Sequence, residues 1–578
     1  MPDAAITTGE CQPTVRSLVT TNASTCSNHS MPSKESEIIL IPPGSASAED
    51  TTSVEDTTST NGSSNFERSP VTARQLYMAI TGGVLLYFIA ALETTILATV
   101  YIDIANQYDD MSNGIWIITS YMLSSTAVQP LYGKLCDILG RVETILISVG
   151  IFTIGSILCA VSKSLGMLIV SRVVQGVGGG GLMALTSVVL SDVTTERDRG
   201  KYSSFLAASF GVASAVGPVL GGLLVQHSSW RVIFWLNLPV CLPAMAIILY
   251  GLKVPRPQGT IREKFKRIDF LGSFLFMCGI IPLVLAFSWA GVGESWTSAK
   301  NMTCIVAGAV MCVVFLIVEW KVSAEPIIEL KLYKIRNIAV SSISHFFFGA
   351  STYGPIMFIP VWELSVKHSS EVSSGLHLLP MMLPMVISAA ISGALMARTG
   401  RYRLVIALGG MLTVIGTSLL ILMDEDSGNG KRIGFVAILG TGIGLSLQPL
   451  LVAAQVTVSG KDMATVTTML TFLRSLGGIF VLSILSSVMN RTLRTEAVKL
   501  ITLFPFSMYT ILKALDDQSV ITKDPSIPEE LRTALTHMFQ TTMHKVYIGL
   551  VPFAAMFFIA VLFFKHVELN TRRKKTIK

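Results

Sequence analysis

Glu93 is the side chain in this sequence that most needs a chemical explanation. It stands in Ala91-Leu92-Glu93-Thr94-Thr95-Ile96-Leu97-Ala98-Thr99, well inside an apolar run that extends over 77–101. A carboxylate facing hydrocarbon at that depth would cost about 2.5 kcal/mol or more, so Glu93 must face a cavity, pair with a cation or be protonated. An acid that alternates between those forms suits a proton carrier; the alternative is a structural hydrogen bond to a neighbouring helix. Arg172 raises the same question. It lies about one turn into the apolar run 166–190, followed by Gln175, Gly176 and the glycines 178–181. Gly176 and Gly180 have the four-residue spacing of a close helix contact, which would hold Arg172 inside a bundle near a carboxylate. Snorkelling to an interface is the competing reading.

A second kind of chemistry sits in a charged turn between two apolar runs, Gly133-Lys134-Leu135-Cys136-Asp137-Ile138-Leu139-Gly140-Arg141. The glycines allow a tight turn, while Lys134, Asp137 and Arg141 place fixed charge where lipid gives way to water. A degenerate copy, Gly393-Ala394-Leu395-Met396-Ala397-Arg398-Thr399-Gly400-Arg401, keeps the seven-residue step between glycines and the arginine that follows. Gly217-Pro218-Val219-Leu220-Gly221-Gly222 lies in another apolar run. There the proline kinks a helix, and Ala213, Gly217 and Gly221 form a flat face for a partner. Polar or amphipathic residues inside apolar runs are candidates to line a substrate cavity: Trp116, Gln129, Gln175, Asn237, His345, Gln448 and Gln455, with His377 and Arg474 also polar in such runs. Satisfied interhelical bonds are the alternative for each.

The elements that must position these residues follow from composition. The chain has 578 residues, 51% hydrophobic and 14% charged, and a mean hydropathy of +0.60. A soluble domain would carry about 25% charged residues, so the expected class is an all-α polytopic membrane protein. The apolar runs number about fourteen, each long enough to span as a helix. If the two charged turns are equivalent, the first six spans correspond to the last six and two more are inserted between them. The expected division is 1–74 a disordered cytosolic tail, 75–252 a six-helix bundle, 253–336 two inserted helices with flanking loops, and 337–566 a second six-helix bundle. Within the last, 491–543 is a long external connection, and 567–578 is a basic cytosolic tail. Within 491–543 the stretch Leu531 to Phe539 could lie as a helix on the membrane surface, or form a loop that caps the exit. Lys and Arg concentrate in loops on one side, which places both ends in the cytosol. The tail lacks an apolar leader, so the first span must serve as the targeting signal.

The same residues exclude other chemistry. There is no G-x-x-x-x-G-K-[ST] loop for ATP, no zinc-ligand spacing and no C-x-x-C pair among the eight cysteines. No enzyme, cofactor or metal is expected, and energy must come from an ion gradient. The net charge of +7 lies in short loops and the tail, so it reads as orientation and not as nucleic-acid binding. Asn301 and Asn490 stand in N-x-S/T sequons at expected external positions and are candidate glycosylation sites.

The charged turn resembles the G-x-L-x-D-x-x-G-R signature between the second and third spans of the major facilitator superfamily, with Gly133, Asp137, Gly140 and Arg141 matched. Ile138 and Val142 stand where many members have basic residues. The stretch around Glu93 resembles the L-D-x-T-I-V element of the fourteen-span drug:proton antiporters, with Glu in place of Asp. Arg172 to Gly178 resembles R-x-x-Q-G-x-G, and Gly217 to Gly222 resembles the G-P-x-x-G-G antiporter signature, although Ala213 and Leu206 replace glycines of its full pattern. Trp230-Arg231-Val232-Ile233-Phe234-Trp235-Leu236-Asn237-Leu238-Pro239 resembles a further element of that group.

The resemblance implies two pseudo-repeated six-helix halves with a site between them. It also implies proton coupling through Glu93 and Arg172, and a cytosolic gate at Asp137 and Arg141. The implied activity is proton-coupled efflux of amphipathic drugs, toxins or secondary metabolites by a monomer in the plasma membrane, with a vacuolar or vesicular membrane as the alternative, similar to efflux pumps of filamentous fungi. Uptake, for example of a siderophore-iron chelate, and a non-transporting sensor on the same fold remain alternatives.

Overall fold

A computed structural model describes residues 72–565 and 567, apart from 109, 111–113, 115, 195–197, 252–259, 324–325, 370, 459–461, 505–506 and 517–526. The expected tails at 1–74 and 567–578 therefore lie almost wholly outside the described residues. Among these residues there is no strand. The helices in order are α1 (Ala73–Thr95), α2 (Tyr101–Gln107), α3 (Trp116–Leu139), α4 (Arg141–Ala160), α5 (Leu165–Val193), α6 (Arg199–His227), α7 (Arg231–Trp235), α8 (Leu238–Gly251), α9 (Ile261–Lys266), α10 (Phe270–Val292) and α11 (Ala299–Lys321). The second part comprises α12 (Arg336–Ser365), α13 (Glu371–Leu376), α14 (Leu379–Thr399), α15 (Tyr402–Leu420), α16 (Asn429–Gln455), α17 (Met463–Leu503), α18 (Met508–Asp516) and α19 (Glu529–Leu562).

Eleven of the described helical segments are long and apolar enough to cross a membrane, or twelve when α6, bent by about 40° between Lys201–Ser214 and Val219–Val225, is counted as one. Two further helices have the length but less apolar character: α3, with 24 residues, and α12, with 30. Their polar residues are buried, Ser120, Ser124, Ser125, Thr126 and Gln129 in α3 and Ser341, Ser342, Ser344, His345 and Thr352 in α12. A span enclosed by protein needs no apolar circumference. With these two, the long helices equal in number the fourteen apolar runs read from the sequence.

The helices pair in a repeated way. In the first half α3 packs on α5, α4 on α5, α1 on α6 and α1 on α8; in the second, α14 packs on α16, α15 on α16, α12 on α17 and α12 on α19. Each half has its own apolar core, one running from Ala79 to Ile248 and the other from Phe348 to Phe564. Between halves, α3 meets α17 and α14 meets α6, a matched pair of crossings. The extra pair α10 and α11 pack on each other, and α10 lies against α3 and α17 at this seam. The far face of α11 exposes Val306, Val310, Val313 and Ile317, as a lipid-facing span would.

One stretch differs from expectation. The segment 491–543 is largely helical: α17 continues for 41 residues to Leu503, and α19 begins at Glu529. Leu531, Leu535, Met538 and Phe539 are buried in the second core. They stand three and four residues apart, so one helix face packs on the bundle instead of lying flat on a surface.

The α12–α17 crossing depends on Gly349 and Gly477: a Cβ on Gly477 would overlap the Phe346 carbonyl, and one on Gly349 the Arg474 carbonyl. Gly434 faces open space. Gly477→Ala should therefore destabilise the purified protein by about 1–3 kcal/mol, seen as a lowered midpoint in a fluorescence thermal-unfolding scan, whereas Gly434→Ala should leave the midpoint unchanged or slightly raised.

Candidate functional site

Glu93 and Arg172 meet inside the first half. Arg172 is fully buried, Glu93 is 2% exposed, and a guanidinium nitrogen donates to Glu93 Oε2. Other partners fill the remaining valences. Arg172 Nε donates to the Ile117 carbonyl at 2.9 Å and a terminal nitrogen donates to Gln175 Oε1 at 2.6 Å. Asn237 Nδ2 donates to Glu93 Oε1 at 2.6 Å and reaches Ser156 Oγ at 3.0 Å, while Gln175 Nε2 donates to the same hydroxyl at 2.9 Å. The guanidinium carbon lies 4.4 Å from the Tyr121 ring centroid, a cation–π contact. Helices α1, α3, α4 and α5 and the α7–α8 junction thus contribute to one network. Its members satisfy each other, the condition under which a buried ion pair is tolerable.

Glu93 stands immediately before a break. α1 ends at Thr95 and passes into a 3₁₀ turn, Ile96–Thr99. The Thr94 hydroxyl donates back to the Ala91 carbonyl at 2.6 Å, and the Thr95 hydroxyl reaches the Leu92 and Ala213 carbonyls at 3.2 and 3.3 Å. Against this break pack Gly217 and Gly221 of α6, where a Cβ would collide with Thr95 and with the Ile96 carbonyl. Gly222 faces open space, and Pro218 occupies the bent part of α6. Two glycines of the motif therefore hold the irregular end of α1 beside its acid.

The charged turn forms a second cluster. Arg141 donates to Asp137 Oδ1 at 2.7 Å, to the Cys136 carbonyl at 2.9 Å and, through Nε, to Asp192 Oδ2 at 2.9 Å. Gly140 has φ of 115°, a conformation that favours glycine, and lets α4 start directly after α3. The Thr465 hydroxyl of α17 donates to Asp137 Oδ2 at 3.0 Å, so this carboxylate ties the first half to the second. At Gly133 a Cβ would press on Thr468 and Thr465, which sets how closely α3 and α17 approach. The second copy has Ala397 where the first has Asp137, and Gly400 repeats the positive φ at 69°.

A cavity lies between the halves, lined from the first by Tyr87, Ser187, Ser203, Leu206 and Phe210 and from the second by His345, Phe348, Tyr353, Gln448, Thr471 and Arg474, among others. Gln448 Nε2 donates across it to the Ser203 carbonyl at 2.8 Å.

A sequence profile described as Major Facilitator Superfamily matches residues 83–482. The chain belongs to the major facilitator superfamily. It is 31% identical over 502 residues to efflux pump dotC of Dothistroma septosporum, covering 86% of this chain and 85% of that one. Efflux pump FUS6 of Gibberella moniliformis is 31% identical over 499 residues, 84% of this chain and 87% of its own. The multidrug transporter protein MdtP of Bacillus subtilis is 31% identical over 518 residues, 86% and 94% respectively. Among solved structures, the human organic anion transporter MFSD10 (TETRAN) superposes with a TM-score of 0.55 over 85% of this chain and 99% of that one, at 14% identity, a likeness of fold. The superfamily comprises membrane transporters, not enzymes.

Within this facilitator fold the sequence candidates separate. Of the seven proposed cavity residues, His345 and Gln448 line the cavity between the halves. Gln175 and Asn237 serve the Glu93–Arg172 pair. Gln129 reaches Ser475 Oγ at 3.5 Å across the α3–α17 crossing, Gln455 donates to Thr467 Oγ1 at 2.9 Å, and Trp116 stacks edge-on against Trp289 of α10. Asn301 is fully buried and its amide nitrogen, the atom a glycan would use, donates to the Ser295 carbonyl at 2.8 Å; the folded chain does not present it. The Asn490 amide donates to the Gly291 carbonyl at 3.0 Å. Sequence reading missed Asp192 and Thr465 as partners in the turn, and Tyr87 and Tyr353 as cavity residues. The first pair could have been found as polar residues at the ends of spans on the side of the turn; a tyrosine in an apolar run carries no such signal.

Breaking a buried pair by removing one partner costs about 3–5 kcal/mol because the other charge is left uncompensated. In thermal unfolding, Glu93→Gln and Arg172→Gln should each lower stability clearly, and the double variant should lose much less than the sum of the two. Additive losses would mean that the contact is energetically idle.

Proposed function

We propose that this transporter exports amphipathic small molecules in exchange for protons, with Glu93 as the proton-carrying group and Arg172 as the residue that sets its affinity for the proton. The observation that carries the reading is the fully buried Glu93–Arg172 contact at the broken end of α1. When Glu93 is charged, the ion pair and the Asn237 bond fix that end of the helix. When it is protonated, the ionic attraction is lost but Arg172 keeps the Ile117 carbonyl, Gln175 and the Tyr121 face. Proton binding thus loosens α1 without stranding the cation. Export is supported by the printed names of the relatives and by the packing of Gly217 and Gly221 on that same break.

The cycle then has two linked parts. The tie between Asp137 and Thr465, with the close α3–α17 approach at Gly133, keeps the cytosolic ends of the halves together. External protonation of Glu93 releases substrate outward; return of the proton to the cytosol resets the site. In this reading residues 75–252 and 337–566 are the two moving bodies, 253–336 supplies the inserted pair at their seam, and the protein works as a monomer in the plasma membrane.

The test uses inverted vesicles with an imposed inside-acid gradient and a fluorescent amphipathic probe. Native vesicles should accumulate probe, a protonophore should abolish accumulation, and Glu93→Gln vesicles should not respond to the gradient. Equal accumulation by native and Glu93→Gln protein would place the proton site elsewhere, and loss of probe from the vesicle interior would favour uptake.

A further inference from the structure

Among the described residues, Arg172 of α5 and Arg474 of α17 both lie within the helical bundles, and they are treated oppositely. Arg172 is matched by Glu93, the Ile117 carbonyl, Gln175 and the Tyr121 ring. Arg474 of α17 faces the cavity between the halves; its Nε has no hydrogen-bond partner, and one terminal nitrogen makes a long contact, 3.3 Å, to the Tyr87 hydroxyl. Among the described residues no carboxylate lies within ion-pair distance of it, and none of the residues lining the cavity is acidic. A buried cation with no opposite charge beside it is costly, and natural interiors offset that cost with an anion.

We propose that the anion is the substrate's: the cavity selects amphipathic molecules bearing a carboxylate or similarly acidic group, anchored by Arg474. This rests on the efflux reading and names its substrate class. A carboxylate is best recognised by two parallel donors of one guanidinium edge. Arg474 offers such an edge, Nε being unpartnered and the adjoining nitrogen held only by a neutral hydroxyl. The apolar part of the molecule has Leu206, Phe210 and Phe348 to lie against. The Arg474–Tyr87 contact also joins α17 of the second half to α1 of the first. An anion that takes Arg474 displaces Tyr87 and removes a polar tie between the halves, so occupancy alters their contact on the same helix that carries Glu93 six residues on.

The experiment compares three probes of one size: pyrenebutyrate, the neutral pyrenebutyramide and the cationic pyrenebutyl-trimethylammonium. Their binding is measured on the full chain in nanodiscs against empty discs, for the native protein, Arg474→Gln and Arg474→Lys. The native protein should favour the carboxylate over the amide by roughly tenfold or more, the scale of one charge-assisted pair. Arg474→Gln should abolish that ratio and Arg474→Lys retain part of it, so the proposal stays testable even if the glutamine variant misfolds. An unchanged ratio in both variants, or a native preference for the cation, overturns it. Native inverted vesicles given the same probes separate the two readings. Export of the amide without any anion preference in binding would sink the anion site and leave efflux standing. Tight carboxylate binding with no movement of any probe would sink efflux and leave the anion site.

Discussion

The structure depends on keeping a carboxylate and a guanidinium together where neither could exist alone. Glu93 and Arg172 lie buried in the interior of the first bundle, and each unpaired charge there would cost on the order of several kcal/mol. The features around them answer that constraint. Ile117 turns a carbonyl toward the arginine, Tyr121 offers a ring face, and Asn237, Gln175 and Ser156 close the remaining bonds. Such a network braces five helical segments against one another.

The brace sits at the one place in α1 where the helix is already irregular. Gly217 and Gly221 let α6 press against the break, so a change at Glu93 meets a joint instead of a rigid rod. From α1 the connection runs to Tyr87, which faces the cavity and Arg474. The tie at Asp137 and Thr465 is on α3 and α17, and α17 is also the helix that carries Arg474. Three helices, α1, α3 and α17, therefore hold the groups that would bind the proton, the substrate and the closed gate. That is an economical basis for coupling them, through shared rigid elements instead of a chain of contacts.

Much of this was legible in the sequence, for a physical reason. Charged residues in hydrocarbon are so costly that Glu93, Arg172, Asp137 and Arg141 announce themselves, and the repeated seven-residue step between glycines announces the duplicated halves. Uncharged polar residues say less. Gln175 and Asn237 read equally well as cavity lining or as partners of the ion pair, because either role satisfies their amides; only the fold assigns them to the pair. The span count was legible from the other side. α3 and α12 carry buried polar residues, so they are less apolar than a lipid-facing span, yet both already stood among the apolar runs of the sequence. The continuation of α17 to Leu503 was missed, and Leu531 to Phe539 was read as a surface helix or a capping loop, although Leu531, Leu535 and Phe539 keep the spacing of a helix face packed on the core.

The central claim is that substrate and proton compete through Glu93. The most direct measurement is calorimetric titration of purified native protein with the neutral probe pyrenebutyramide, in a series of buffers of differing ionisation enthalpy. The account expects the binding enthalpy to vary with the buffer in the sense of net proton release, and that variation to vanish in Glu93→Gln protein. A binding enthalpy independent of the buffer in the native protein, or a dependence that survives Glu93→Gln, would contradict it.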